Sequence, residues 1–402
     1  MTHSAESGGS GVKRETPPKS LHPNVWIAGL ISLFTDVSSE MLVPVLPLFL
    51  ANTLGTPIRA IGLIEGLAET TASVVKAASG WLSDRMGRRK PLMAWGYGLS
   101  NALKPLLGFT GTWGQVLAIR VADRFGKGVR GAPRDALLAD STEPAQRGRA
   151  FGLHRAMDTV GAAIGPLLAW LILLRGPGHY RVVFWWAAVP GIVAVALLVA
   201  FLRETGVGPR GNGPILRNWS LSLRFLSPRL RRFMLVGVLF ALGNSADAFL
   251  ILRAQDLGLA AALVPLAYFI FNASYALLSY PAGALSDKVG RKPVMGVGFA
   301  VFALIYFGFG AATRSWMAWP LFLLYGLYYA GTEGIQKAYI VDHADSDQRG
   351  TAVGVYNALT GLAALPASLV AGLLWDGIGP AAPFYLGSAT AAVSALLLLL
   401  WA

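Results

Sequence analysis

The stretch Gly80-Trp81-Leu82-Ser83-Asp84-Arg85-Met86-Gly87-Arg88-Arg89-Lys90-Pro91 closes one long apolar run and opens another. It holds one acid followed by a cluster of bases, punctuated by glycine. It returns as Gly283-Ala284-Leu285-Ser286-Asp287-Lys288-Val289-Gly290-Arg291-Lys292-Pro293, 203 residues further on in a chain of 402. A charged turn placed twice, half a chain apart, indicates two similar halves. Glycine allows close backbone approach or positive φ, and a basic loop stays on the cytoplasmic side of a bilayer. Each copy therefore reads as a tight turn between two membrane helices.

Composition agrees. Hydrophobic residues make up 54% of the chain and charged residues 14%, with a mean hydropathy of +0.53. Such a chain has too little polar surface to cover a soluble core, and its apolar runs of roughly 20 residues read as spans. The net charge of +13 gathers in alternate loops, as orientation by positive charge requires. No nucleic-acid-binding motif accompanies it, so no nucleic-acid partner is expected. The absence of cysteine excludes disulfides, thiolate metal sites and cysteine nucleophiles.

Hydropathy places twelve spans: about 25–50, 60–83, 91–111, a fourth ending near 138, 150–174, 182–202, 233–252, 263–286, 293–312, 316–341, 351–375 and 384–401. The expected fold class is an all-α membrane protein, with twelve transmembrane helices in two pseudo-symmetric six-helix bundles. The division follows: a disordered cytoplasmic tail at 1–22, a first bundle at 23–202, a basic cytoplasmic linker at 203–232 and a second bundle at 233–402. In the linker Arg203, Arg210, Arg217, Arg224, Arg229, Arg231 and Arg232 stand against one acid, Glu204. Both termini are expected in the cytoplasm. Gln146-Arg147-Gly148 and Gln348-Arg349-Gly350 form a second repeat, before the fifth and eleventh spans.

The repeated turn, G-x-L-S-D-[RK]-x-G-R-[RK], resembles the cytoplasmic signature loop of the major facilitator superfamily, carried by Gly80, Asp84, Arg85, Gly87 and Arg88, and by Gly283, Asp287, Lys288, Gly290 and Arg291. The resemblance implies a membrane transporter in which Asp84 meets the start of the eleventh helix. By pseudo-symmetry Asp287 would meet the start of the fifth. Parallel halves of this kind place substrate near the midplane between them.

Ionisable groups inside spans are functional candidates by default. The first span carries Asp36 and Glu40 on one helical face, before Pro44-Val45-Leu46-Pro47, which resembles the first-helix ending of drug:proton antiporters in that superfamily. The second carries Glu65, Glu69, Ser73 and Lys76 as one stripe, read either as functional groups or as a plain polar face, with Glu65 near the outer mouth in water and Lys76 neutralising Glu69. The fourth carries Arg120, Asp123, Arg124, Lys127, Arg130, Arg134 and Asp135. Leu117 to Arg120 resembles the opening of the family's fourth-helix motif, whose arginine is associated with proton coupling; Asp123 and Arg124 stand where Gln and Gly are common. The fifth opens with His154, Arg155 and Asp158. Its Gly161, Gly165 and Pro166 resemble the antiporter motif G-x-x-x-G-P, a spacing that is also a plain packing face. The second half keeps Asp247, Glu333 and Lys337, puts Asn272 opposite Glu69 in the repeat, and supplies Tyr268, Phe269, Tyr275, Tyr325, Tyr328 and Tyr329.

These residues suggest that the first bundle handles protons and the second shapes the pocket. A carboxylate kept from water favours its neutral form and a nearby base restores its charge, so Asp36, Glu40 or Glu69 would carry the proton, with Arg120 or Lys76 as partner. The expectation is a secondary active transporter exporting a small molecule by proton antiport, monomeric, in a bacterial inner membrane, with protons, substrate and lipid as partners. Symport or uniport of an organic anion or metabolite is the alternative, because arginines bind carboxylates and phosphates well. A non-transport receptor or scaffold is remote. No cofactor, metal or enzymatic motif is read from the chain.

Overall fold

The computed structural model describes residues 21–143, 146–176, 178–204, 226–345 and 348–401, except the side chains of Trp81 and Asp84. Residues 1–20 of the expected tail and most of the expected linker fall outside these residues. Fifteen α-helices run through the rest: α1 Pro23–Leu42, α2 Leu46–Asn52, α3 Ile58–Met86, α4 Lys90–Leu103, α5 Trp113–Asp140, α6 Arg147–Arg175, α7 Tyr180–Trp186, α8 Ala188–Phe201, α9 Pro228–Gly243, α10 Ala248–Asp256, α11 Val264–Val289, α12 Arg291–Ala311, α13 Ala318–His343, α14 Arg349–Gly377 and α15 Ala382–Leu400. Among the described residues there is no strand.

Among the described residues, eight helical segments are long and apolar enough to cross a membrane. The remaining expected spans fall on α3, α4, α5 and α13, helices whose ionisable or polar residues lower the mean hydropathy. Large apolar side chains face outward, with Ile192 66%, Val199 60% and Leu304 71% exposed. In water that surface would be a liability; in lipid it is the solvent-matched face.

Local chemistry explains where the rods stop. Thr112 caps α5 through Gln115, which reaches back to the Thr112 amide, a reciprocal capping box. Gly87 and Gly290, at the ends of α3 and α11, adopt φ of +62° and +97°, so the glycines of the repeated turn are there for positive φ. The first span breaks between α1 and α2 at Val43-Pro44-Val45, since proline has no amide to donate and its ring clashes with the preceding turn. The seventh breaks in the matching place, Asn244 to Asp247, between α9 and α10. Irregular backbone at depth is tolerated where it lines a cavity.

Each half packs within itself, and the halves meet chiefly along two helix pairs, α3 with α14 and α6 with α11, while α10 also touches α2 and α3. The two cores differ in chemistry. The second is aromatic, with Phe240 stacked on Phe299 at 4.1 Å and Phe302 on Tyr306 at 4.0 Å between ring centroids. The first is threaded by charge.

Candidate functional site

Three connected cavities run between the halves. One, of about 320 Å³, lies at the helix breaks against Asp36, Glu40, Pro47, Asp247, Tyr268 and Tyr329. A second, of about 400 Å³, shares Asp36, Glu40, Glu69 and Lys127 with it and extends to Lys76, Arg155, Asp158, Asn272 and Tyr275. The third, of about 640 Å³, reaches the first turns of α14 at Gly350 and Thr351, with Lys76 and Lys337 on its walls. It lies toward the end of the molecule that holds the repeated turns, the basic end.

The seam of α3 and α14 shows why the route faces one way. Toward the far end the backbones touch: a Cβ on Gly62 would lie 2.2 Å from the Ser368 carbonyl oxygen, and one on Gly66 2.9 Å from Leu365 Cα. Thr70 Oγ1 donates to the Gly361 carbonyl at 2.8 Å. Beyond that point Lys76, Ala77 and Gly80 stand across the third cavity from Gly350, Gly354 and Asn357.

Most of the charges on the cavity wall are committed to one another. Arg120 donates to both Glu65 oxygens at 3.0 and 2.7 Å and lies 3.6 Å from Asp123; all three are buried. Asp123 also accepts the Ser100 hydroxyl at 2.5 Å. Arg124 pairs with Glu69 at 3.4 Å, and Lys76 with Asp135 at 3.9 Å. Arg130 lies over the Tyr97 ring at 4.2 Å. The plainer alternative, with Glu65 in water and Lys76 neutralising Glu69, is therefore not the arrangement found. Arg120 is the clasp of a buried triad rather than a neighbour of the first-span acids, because α3 presents Glu65 one turn nearer to it than Glu69.

The first-span acids differ. Among the described residues Asp36 and Glu40 form no hydrogen bond or ion pair, and Lys127, exposed into the same cavities, forms none either. The fifth-span glycines lie behind these acids: a Cβ on Gly161 would sit 3.1 Å from Asp36 Cβ, and one on Gly165 2.8 Å from Glu40 Cβ. Gly161 and Gly165 thus lie on a close packing face of α6 against α1, at the level of the carboxylates, with Pro166 buried beside them. His154 approaches Asp158 at 3.6 Å.

The second half contributes polar groups through tyrosine. Asp247 accepts hydrogen bonds from Tyr268 at 3.2 Å and Tyr325 at 2.9 Å. Asn272 donates to the Ala162 carbonyl at 3.2 Å across the α6–α11 seam. Nearer the basic end Arg155 donates to Tyr275 at 2.6 Å and lies 3.3 Å from Glu333, which Lys337 also pairs at 3.3 Å.

Lys104, not among the sequence candidates, is the most deeply buried cation on this wall. Its ammonium donates to Ser38, Ser39 and Asn101 at 3.1, 2.9 and 2.9 Å, using all three protons. The rule that in-span ionisable groups are candidates applies to it directly.

At the basic end the repeated turns build matched clusters. Arg89 bonds Ser83 and lies 3.6 Å from Asp140; Arg291 bonds Ser286 at 2.8 Å and lies 3.2 Å from Asp342. Counting from the glycine had set Arg88 against Arg291, yet Arg89 takes that place, because the first turn holds one more base. Arg85, Arg88 and Lys288 are exposed, and a Cβ at Gly80 or Gly283 would meet no backbone. The Asp84 side chain lies outside the described residues. Asp287 pairs at 2.5 Å with Arg291 on its own turn, and is not seated on the start of α6 as pseudo-symmetry suggested.

A family model described as Major Facilitator Superfamily matches residues 28–253 and 233–402. The chain belongs to that superfamily. Within the superfamily, an uncharacterised MFS-type transporter of Methanocaldococcus jannaschii is 37% identical over 96% of this chain and 97% of its own. The class C tetracycline resistance protein of Escherichia coli is 27% identical over 88% of this chain and 89% of its own. Among solved structures, the nucleoside transporter NupG shares the fold at a TM-score of 0.79 and 13% identity, over 94% of this chain and 99% of that one. Major facilitator proteins are transporters.

Proposed function

We propose that this transporter exports a small molecule in exchange for protons, with Asp36 and Glu40 as the proton-carrying groups. The observation that carries the reading is their isolation on the cavity wall. Gaining or losing a proton there breaks no ion pair, whereas protonating Glu65 or Glu69 would strand a buried arginine. The 27% identity to tetracycline resistance proteins supports export. By the positive-inside rule the basic end would face the cytoplasm, with both termini inside. The bundles at 23–202 and 233–402, joined by the basic linker, would rock about the cavities as a monomer.

Lys127 favours a second reading, an organic-anion carrier, because it faces the cavities without a partner among the described residues. Yet on the innermost wall Asp36, Glu40, Glu65, Glu69, Asp123 and Asp247 outnumber Lys104, Arg120, Arg124, Lys127 and Arg130.

Proteoliposomes under an imposed pH gradient test both readings, with tetracycline, ethidium and benzoate as probes. Asp36→Asn and Glu40→Gln are each expected to abolish gradient-driven accumulation while leaving probe exchange at equal pH measurable. Gradient-driven transport that survives in both Asp36→Asn and Glu40→Gln would overturn the assignment. Accumulation of benzoate alone, lost in Lys127→Gln, would favour the anion carrier.

A further inference from the structure

We propose that Asp376 is the latch that holds the far mouth of the transport route shut, a positioning residue of the transport cycle. Asp376 lies in the last turn of α14, where the helix dipole disfavours negative charge. Its placement makes sense for a different helix. Its two oxygens accept hydrogen bonds from the Ile58 and Arg59 amides, the first of α3, at 3.2 and 3.0 Å. Those amides have no partner inside α3, and the residue before them, Pro57, has no side chain that can cap. Arg59 Nε stands 4.0 Å from the same carboxylate.

A second, independent feature lies one turn below. A Cβ on Gly372 would stand 2.5 Å from Arg59 Cα, so glycine there lets α14 reach the start of α3. The carboxylate and the glycine together fix one end of the α3–α14 seam, whose other end is already parted by the third cavity. Among the described residues, these are the hydrogen bonds that cross the far mouth. The α6–α11 seam has no counterpart: the position 202 residues before Asp376 is Leu174, and that seam is bridged toward the basic end by Arg155, Tyr275 and Glu333.

Opening the route to the far side must part α3 from α14 at this point, leaving a carboxylate and two amides to water. The latch therefore sets the balance between the two faces of the cycle. A charge-assisted bond of this type, once weakened, moves such an equilibrium by about tenfold.

The chain has no cysteine, so Thr53→Cys with Ile378→Cys gives two spin-label sites on an otherwise unreactive protein. Electron double-resonance distances are expected to show one dominant short separation. Asp376→Asn, which keeps the side-chain shape, is expected to raise a longer population about tenfold, and Asp376→Glu to restore the short one. Gly372→Ala should act in the same direction as Asp376→Asn. An unchanged distribution in Asp376→Asn, with or without a lower Tm, would overturn the latch. The experiment uses neither cargo nor proton gradient, so its outcome is separate from the antiport reading.

Discussion

Arg120→Ala is expected to destabilise the protein by about 3–5 kcal/mol, the cost of leaving buried carboxylates without their cation. Arg120, Glu65 and Asp123 are each less than a tenth exposed, at 5%, 9% and 7%. The guanidinium grips both Glu65 oxygens, and Asp123 keeps only the Ser100 hydroxyl when it is gone. The same physics predicts that removing Glu65 together with Arg120 is far milder than removing Arg120 alone, because the pair's attraction and its desolvation nearly offset. Thermal unfolding in detergent of Arg120→Met, Glu65→Leu and the double variant checks this. A double variant no more stable than Arg120→Met would show that the triad is not the unit described.

Gly165→Val is expected to abolish transport at a stability cost of about 1–3 kcal/mol. Any Cβ at residue 165 meets Glu40 Cβ and the Val37 carbonyl oxygen, each at 2.8 Å. Because both obstacles belong to α1's own backbone or its first side-chain atom, no rotamer change relieves them. The helices must part beside Glu40, which moves the carboxylate out of the cavity wall. Gly148 and Gly152 lie on the same helix with no atom within 4 Å of an added Cβ, so Gly152→Ala is the control and should leave transport and Tm unchanged. Equal transport in Gly165→Val and Gly152→Ala would contradict a positioning role for the α1–α6 contact.

The fold was legible because its signals are local and repeated. Two glycine-bounded basic turns and apolar runs of membrane length suffice to identify paired halves; the break in the first span at Val43-Pro44-Val45 appears only in the structure. The pairing of charges was not legible. Glu65, Glu69 and Lys76 share one face of α3 at helical spacing, but which base each acid meets depends on the rotation of α5 against α3, which one sequence does not encode by period. Lys104 was readable as an in-span cation, and only packing reveals that three neutral oxygens hold it. Asp376 escaped notice for the opposite reason. It sits at a span's end, where acids are usually left to water, and its role appears only when a second helix starts beside it.

As the proposed carriers, Asp36 and Glu40 exchange protons with the basic side. A pH jump applied to empty proteoliposomes on a solid-supported membrane measures this without any cargo. The wild-type protein should give a transient charge displacement, absent when Asp36→Asn is combined with Glu40→Gln and retained in Glu69→Gln. An undiminished displacement in the Asp36→Asn, Glu40→Gln double variant would place the coupled proton elsewhere and contradict the account.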